Sequence, residues 1–284
     1  MYQQVSEILR MAEQSNTAVI SFICQDYIMA RSVVYAAEKT NTPALVMLFP
    51  EHVTIQKTTG IAGYAAMVKE LAEEVKVPIG LHLDHSYSLE ALMKAMDGGF
   101  ESVMIDGSAF DLKKNIEITR EVVDTAHRRN VFVEGEIGRV GAAKDADNEK
   151  EDLYTKPDAA ELFCRESGAD MLAVSIGNAH GEYRETPKLD IERLKEIQAA
   201  VSVPLVLHGG SGIPDDQLLL AFQNGIRKFN LGTDYLKRYY QAVLSFSEEN
   251  RDNPDPVKII HMAEYVQAKL QPYVEERLKT LCKF

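Results

Sequence analysis

Short apolar, β-branched runs alternate along the chain with stretches in which apolar residues recur at spacings of three and four. Short apolar runs are typical of buried strands, and the three-and-four spacing places apolar side chains on one face of a helix. The pattern predicts eight strands, at 18–25, 44–49, 79–84, 102–106, 132–137, 171–176, 205–208 and 228–231. It predicts a helix after each strand, at 28–39, 62–75, 89–97, 115–128, 159–167, 191–199, 217–224 and 235–246.

Eight strand–helix units in one chain of 284 residues predict an α/β fold. They favour a closed (β/α)8 TIM barrel over an open doubly wound sheet. The composition does not change at any point that would mark a linker, so we expect a single domain over residues 1–284. The segment 256–284 predicts one extra C-terminal helix, whose apolar face would pack on the barrel or on another subunit.

Charge and composition narrow the possible partners. The net charge of −12 argues against a nucleic acid or an anionic membrane surface as a partner. A small anionic substrate stays possible, because a few local donors override a global charge. The chain has no apolar run of about 18 residues, so we expect no membrane span. The three cysteines are far apart in the sequence, which predicts a reducing, cytoplasmic location.

The third predicted strand ends in the polar cluster HLDH at 82–85. Buried charges cost several kcal/mol unless they are paired or bind a metal. Side chains alternate along a strand, so Asp84 and His85 share a site only if one of them lies beyond the strand. We expect His85 in the turn, on a metal, with Asp84 at the rim and free for proton transfer. His82 would be a core histidine below the site.

Three histidines, His85, His180 and His208, lie at or just past predicted strand ends. In a barrel these ends form one rim, where the chemistry takes place. Three imidazoles with an open fourth position are typical of a catalytic zinc site. Glu136 is either a fourth or alternate ligand, or a carboxylate that orients a histidine.

The turn after the seventh strand, Gly209–Gly212, precedes a helix. Backbone N–H groups in such a turn can bind a phosphate with help from the helix dipole. A plain tight turn would use the same residues, so this motif alone leaves both interpretations open.

Taken together, HLDH, VEGEIGRVG, IGNAHGEY, LHGGSG and FNLGTD, in this order and spacing, resemble the class II zinc-dependent ketose-bisphosphate aldolases. The resemblance is to the fructose- and tagatose-bisphosphate branch. It implies reversible cleavage of a ketose 1-phosphate or ketose bisphosphate into dihydroxyacetone phosphate and an aldehyde. His85, His180 and His208 would hold Zn²⁺, and Asp84 would exchange a proton with the aldehyde oxygen.

The resemblance also implies where the phosphate binds and what accompanies it. The implied phosphate-binding residues are Gly181, Gly209, Gly210, Ser211, Asn230, Leu231, Gly232 and Thr233. A monovalent cation, Na⁺ or K⁺, would lie near the phosphate. Members of the family tend to form dimers or tetramers, so we expect a homodimer or homotetramer.

Three positions depart from the family pattern. Ile23 stands where the family has an asparagine, Phe49-Pro50 where it has a serine, and Lys144 where it has a glutamate that moves a proton. The first two positions would face the aldehyde half of the substrate, so we expect a non-standard aldehyde product. The loop proton-transfer role would pass to Asp145, Glu149 or Glu151.

Two other functions fit the same residues. A non-catalytic sugar-phosphate-binding barrel would explain the missing asparagine and glutamate, but it would not need Asp84. A zinc hydrolase would need a base near its water, which Glu136 can supply.

Overall fold

Eight parallel strands close into a barrel in which each strand pairs with the next and the last pairs with the first. The computed structural model describes residues 1–52, 60–138, 140, 154–252 and 256–284. The strands are β1 Val19–Ile23, β2 Ala44–Leu48, β3 Ile79–Ser86, β4 Ser102–Ile105, β5 Phe132–Ile137, β6 Met171–Val174, β7 Leu205–Leu207 and β8 Ile226–Leu231. The helices are α1 Val5–Gln14, α2 Tyr27–Thr40, α3 Ile61–Glu73, α4 Leu89–Asp97, α5 Leu112–His127, α6 Pro157–Ser167, α7 Ile191–Ala200, α8 Asp215–Gln223, α9 Thr233–Glu249, a 3-10 helix Pro256–His261 and α10 Met262–Leu281. The predicted TIM barrel with an extra C-terminal helix is confirmed.

Helices α2 and α5 begin earlier than the apolar pattern predicts, and a polar residue caps the first turn of each. Asp26 precedes α2 and accepts a hydrogen bond from the Met29 backbone N–H at 2.9 Å. Asp111 precedes α5 and accepts one from the Lys114 N–H at 2.9 Å. Such caps satisfy backbone donors that have no partner inside the helix. A capped polar turn carries no apolar periodicity, so the pattern missed it.

The barrel interior is apolar at the amino-terminal end of the strands and contains charged side chains nearer their carboxyl ends. At the amino-terminal end of the strands, α1 packs on a cluster formed by Val19, Leu45, Met171, Ala173 and Val206. Above this layer the side chains of His82, Glu134 and Lys228 point inward and are fully buried. The interior of a TIM barrel is usually filled by branched apolar side chains. A fully buried charged layer therefore marks this barrel, and it lies directly below the carboxyl ends of the strands.

The C-terminal helix α10 packs along α2 and α9 of the same chain. Val266 and Leu270 on α10 are completely buried, whereas Ile259 and Ile260 in the preceding 3-10 helix are exposed. The predicted apolar face therefore has two parts. The part in α10 packs against helices of the barrel, and the part in the 3-10 helix is exposed. Among the described residues, none of the helices has the length and apolar character needed to cross a membrane.

Candidate metal and active centre

Strand β3 brings both Asp84 and His85 to the carboxyl end of the barrel. The prediction that His85 lies in the turn is wrong, because β3 continues through Ser86. Between Leu83 and Ser86 the pairing with β4 shifts, so that three steps on β3 match two on β4. An extra residue of this kind breaks the strict alternation of side chains. His85 Nε2 consequently lies 3.9 Å from Asp84 Oδ1, and Asp84 is buried rather than at an open rim.

The three predicted histidine ligands converge. The ring centroids of His85 and His208 are 4.8 Å apart, those of His85 and His180 are 5.0 Å apart, and those of His180 and His208 are 5.8 Å apart. One ligand atom from each ring lies within 4.8 Å of the others. Strands β3, β6 and β7 and the turns after them thus bring together three residues that are far apart in sequence.

In each of these rings a hydrogen bond to one nitrogen leaves the other available. His85 Nδ1 lies 2.9 Å from Asp106 Oδ2, His180 Nδ1 lies 3.2 Å from the Val140 carbonyl oxygen, and His208 Nε2 lies 2.6 Å from Glu134 Oε1. A metal-bound histidine characteristically donates its second N–H to a carboxylate or a carbonyl oxygen. The donor set therefore fits a zinc ion held by three imidazoles with one open position.

Glu136 lies against the histidine cluster. Its Oε2 is 3.3 Å from His208 Nδ1, and among the described residues neither atom has a hydrogen-bond partner. Glu136 also forms a second potential ligand group with His85 and Asp106. The carboxylates that orient histidines are Asp106 and Glu134, so the geometry favours Glu136 as an alternate ligand over an orienting group.

Buried carboxylates make the centre favourable for a cation. Burial and the neighbouring His208 and His85 lower the pKa of His180 to about 4, so this ring is neutral, as a ligand must be. Burial also lowers the pKa of His208, but Glu134 and Glu136 outweigh burial and raise it to about 10. Glu134 and Glu136 thus favour a positive charge at His208. A metal ion bound to the ring would supply that charge in place of the ring proton.

Asp84 is held beside the histidines by Asn230, whose Nδ2 donates to Asp84 Oδ1 at 3.3 Å. Burial alone would raise the pKa of Asp84, but His85, His208 and Lys228 outweigh it and lower the pKa. The carboxyl group is therefore ionised at neutral pH and can accept a proton.

The glycine-rich turns after β6 and β7 are joined by one tyrosine. The Tyr183 hydroxyl donates to the Gly209 carbonyl oxygen at 2.8 Å and accepts from the Ala179 N–H at 2.7 Å. Gly209 and Gly181 have φ angles of +63° and +96°, which side chains rarely adopt. These turns lie beside the histidines because His180 and His208 belong to them.

The turn after β8 leads directly into a helix. Helix α9 begins at Thr233, with Gly232 as its N-cap, and Ser211 Oγ accepts the Asp234 N–H at 3.1 Å. A helix N-terminus and a glycine turn together form an anion-binding surface. The phosphate-binding role of this turn stays a prediction, and two of its residues offer different groups. Leu231 has a buried side chain, so only its backbone is available, and the side chain of Asn230 contacts Lys228 and Asp84.

Replacing Gly210 with alanine should destabilise the protein. A β-carbon at this position would overlap the ring of Phe229, which is fully buried. Overpacking of this kind typically costs about 1–3 kcal/mol. We expect a lower melting temperature and a higher KM for a phosphorylated substrate. Gly60→Ala is the control, since no atom of the described residues lies within 4 Å of a β-carbon at Gly60. An equal loss of stability in both variants would contradict this prediction.

The family model for class II fructose-bisphosphate aldolase matches residues 3–283. The chain belongs to this family. It is 34% identical over 277 residues to the 6-phospho-5-dehydro-2-deoxy-D-gluconate aldolase of Shouchella clausii (strain KSM-K16), which covers 97% of this chain and 92% of that protein. The class II resemblance seen in the motifs is thereby confirmed, and the chain is an aldolase, a carbon–carbon lyase.

Solved aldolase structures have the same architecture. The YdjI aldolase from Escherichia coli K12 aligns with a TM-score of 0.85 at 32% identity, over 99% of this chain and 98% of that chain. A fructose-bisphosphate aldolase from Campylobacter jejuni aligns with a TM-score of 0.84 over 99% of this chain and 95% of that chain. Its identity of 22% supports the fold alone.

Two residues that depart from the class II pattern implied by the resemblance lie next to the candidate site. A β-carbon on Gly232 would be 2.7 Å from Ile23 Cδ1, so Ile23 packs against the turn that begins α9. The Phe49 ring lies 6.4 Å from the His85 ring, and the His52 ring lies 5.3 Å from Phe49. No recognisable motif marks His52, which follows β2.

The candidate site also includes two residues that the sequence motifs do not single out. Asp106 follows β4 and contacts His85, while Lys228 lies within β8 and contacts Glu134. The sequence does contain a signal for Lys228. It precedes Asn230 by two positions in one strand, and side chains two positions apart point to the same side of a strand. The loop candidates Asp145, Glu149 and Glu151, like Lys144, lie outside the described residues.

Proposed function

We propose that this class II aldolase uses zinc, held by His85, His180 and His208, to cleave a ketose 1-phosphate or ketose bisphosphate reversibly. The products would be dihydroxyacetone phosphate and an aldehyde with a non-standard structure. The observation that carries the proposal is the convergence of three imidazoles, each with one nitrogen available, beside a buried carboxylate. When bound, zinc supplies Lewis acidity that polarises the ketone.

The protein residues would hold the substrate and move one proton. In the cleavage direction, Asp84 would accept the proton of the hydroxyl group whose oxygen becomes the aldehyde, and it would return the proton in condensation. Asn230 keeps the carboxylate in place. The phosphate would bind at the N–H groups of the turns around Gly209 and Gly232. Asp145, Glu149 or Glu151 would transfer the proton on the dihydroxyacetone phosphate side of the broken bond.

The aldehyde half of the substrate is where we expect this chain to differ from a fructose-bisphosphate aldolase. Ile23 and Phe49 place apolar side chains where the family resemblance implies polar contacts. The name of the Shouchella clausii relative describes a phosphorylated ketose acid rather than a bisphosphate. A carboxylate-bearing aldehyde is therefore one product class to test, together with apolar ones.

Introducing the missing asparagine should change the substrate preference. We expect Ile23→Asn to raise kcat/KM for fructose 1,6-bisphosphate relative to the best substrate by about tenfold or more, since a new polar contact changes discrimination by that order. The ratio of kcat/KM values for the two substrates measures this effect. Ile23→Val, which remains apolar, should leave the ratio unchanged. An unaltered ratio in Ile23→Asn would show that position 23 does not face the aldehyde half.

A substrate panel tests the proposed function. We would measure zinc content and then retro-aldol cleavage of fructose 1,6-bisphosphate, tagatose 1,6-bisphosphate, 6-phospho-5-dehydro-2-deoxy-D-gluconate and several ketose 1-phosphates, with detection of dihydroxyacetone phosphate. Zinc-dependent release from at least one of them is expected. A zinc-loaded protein that binds dihydroxyacetone phosphate but cleaves none of the panel would instead support the non-catalytic sugar-phosphate-binding barrel.

The remaining expectations stay predictions. They are a monovalent cation, Na⁺ or K⁺, near the phosphate, a homodimer or homotetramer, and a cytoplasmic location. The net charge of −12 supports the absence of a nucleic-acid partner.

A further inference from the structure

Lys228 is a buried cation at the centre of the barrel, directly below the site. Its side chain is fully buried. Its Nζ donates to Glu134 Oε2 at 2.9 Å and to Asn230 Oδ1 at 2.7 Å. A buried ammonium group is tolerated only when it is paired and hydrogen-bonded. Both partners of Lys228 in turn contact residues of the candidate active centre.

The first contact leads through Glu134 to His208. While Oε2 of Glu134 accepts from Lys228, its Oε1 lies 2.6 Å from His208 Nε2. A carboxylate only accepts hydrogen bonds, so His208 must carry a proton on Nε2. This leaves His208 Nδ1 as the nitrogen that can bind a metal, and Nδ1 is the atom that faces Glu136.

The second contact leads through Asn230 to Asp84. Because an ammonium group only donates, the amide oxygen of Asn230 must be the atom that faces Lys228. The Asn230 NH₂ group is therefore turned toward Asp84, where Nδ2 lies 3.3 Å from Oδ1. Lys228 and Asp84 thus favour the same amide orientation from opposite sides, and without the lysine only the 3.3 Å contact with Asp84 would hold it.

Stability alone does not account for this arrangement. Replacing a buried ion pair by well-packed apolar side chains is often neutral or stabilising. The layer below is already filled by Val19, Leu45 and Val206, so apolar packing is available in this barrel. The charged pair costs desolvation, yet both its partners contact residues of the centre.

We propose that Lys228 is a positioning residue that acts in two directions, fixing the metal-binding nitrogen of His208 through Glu134 and the orientation of Asp84 through Asn230. This inference rests on the proposed zinc-dependent aldolase function. It makes one buried cation responsible for both the metal ligand and the proton-transfer group.

Lys228→Met tests the proposal, because methionine fills similar space without charge. The apo-protein is titrated with Zn²⁺ against a chelator, and the loaded enzyme is assayed for retro-aldol cleavage. We expect zinc affinity to fall by about 10–100-fold, as with other groups that orient ligands. We expect kcat to fall with little change in KM. In ¹⁵N NMR spectra of the zinc-loaded protein, the His208 ring signals should shift away from the Nε2-protonated form.

Arg227→Met is the matched control. Arg227 is the neighbouring residue on β8 and is also buried, but it hydrogen-bonds Asn16 and the Phe222 carbonyl oxygen, away from the site. Its loss should lower stability without altering zinc affinity, kcat or the His208 signals. Equal effects of both substitutions on these three readouts would overturn the positioning role.

A second variant keeps the test valid if Lys228→Met does not fold. Lys228→Met/Glu134→Gln removes both charges and keeps an oxygen that can accept from His208. It should fold with zinc affinity closer to that of the unsubstituted chain, while kcat stays low because Lys228 no longer fixes the Asn230 amide. Normal kcat in this variant would refute the inference. If the unsubstituted chain itself binds no zinc and cleaves no substrate, the proposed function fails instead.

Discussion

Asp84→Ala is expected to abolish turnover while the zinc content stays that of the unsubstituted chain. Asp84 is the buried carboxylate next to the three histidines, and its lowered pKa keeps it ionised. General acid–base catalysis contributes about 10²–10⁴-fold to a rate. We therefore expect kcat to fall by at least about 10²-fold. Steady-state kinetics and metal analysis of the purified variant measure both quantities.

Asp84→Asn is the sharper version of the same experiment. An asparagine keeps the shape of the side chain and an oxygen that can accept from Asn230, but it cannot take a proton. Its kcat should be as low as that of Asp84→Ala, with KM nearly unchanged, because only a transition-state interaction is lost. Loss of zinc in either variant would mean that Asp84 is a metal ligand. Near-normal kcat in Asp84→Asn would remove it from proton transfer.

The repeating pattern of the chain was enough to predict the barrel, because each strand–helix unit carries its own apolar signal. The carboxyl ends of all eight strands then meet on one rim, which is why His85, His180 and His208 could be grouped from sequence. The prediction for His85 failed in detail because it assumed strict alternation. The extra residue in β3 between Leu83 and Ser86 depends on pairing with β4, which the sequence of β3 alone does not contain.

The contacts made by the charged layer below the site were beyond prediction for a related reason. Lys228 and Glu134 are 94 positions apart, and Asn230 and Asp84 are 146 positions apart. Two inward-pointing residues on different strands meet only if they lie at the same level along the barrel axis. That level is set by the stagger between neighbouring strands in the closed barrel. The family resemblance implies that Asn230 binds the phosphate, but it does not reveal that the Asn230 side chain contacts Lys228 and Asp84.

His208→Ala is expected to remove both the metal and the activity. His208 is fully buried, and its Nδ1 has no hydrogen-bond partner among the described residues, so the ring offers this nitrogen to a metal. Losing a ligand should weaken zinc binding by more than the roughly 10–100-fold that follows the loss of an orienting group. Lewis-acid stabilisation is worth several kcal/mol, so turnover should fall by at least about 10²-fold. Chelator competition and kinetics at saturating Zn²⁺ measure these effects.

His82→Ala is the matched control, because it also removes a fully buried imidazole next to Glu134. His82 Nε2 lies 3.4 Å from Glu134 Oε2, and its Nδ1 lies 2.8 Å from Ser102 Oγ, which places the ring below the metal site. Each substitution leaves the cavity of one buried imidazole ring, so both should reduce the free energy of unfolding to a similar degree. Only His208→Ala should lose zinc. If both variants release zinc equally, the loss reflects a disturbed barrel interior, and the assignment of His208 as a ligand is wrong. Chelation of the unsubstituted chain, followed by full recovery on adding Zn²⁺, would separate loss of the ion from loss of the fold.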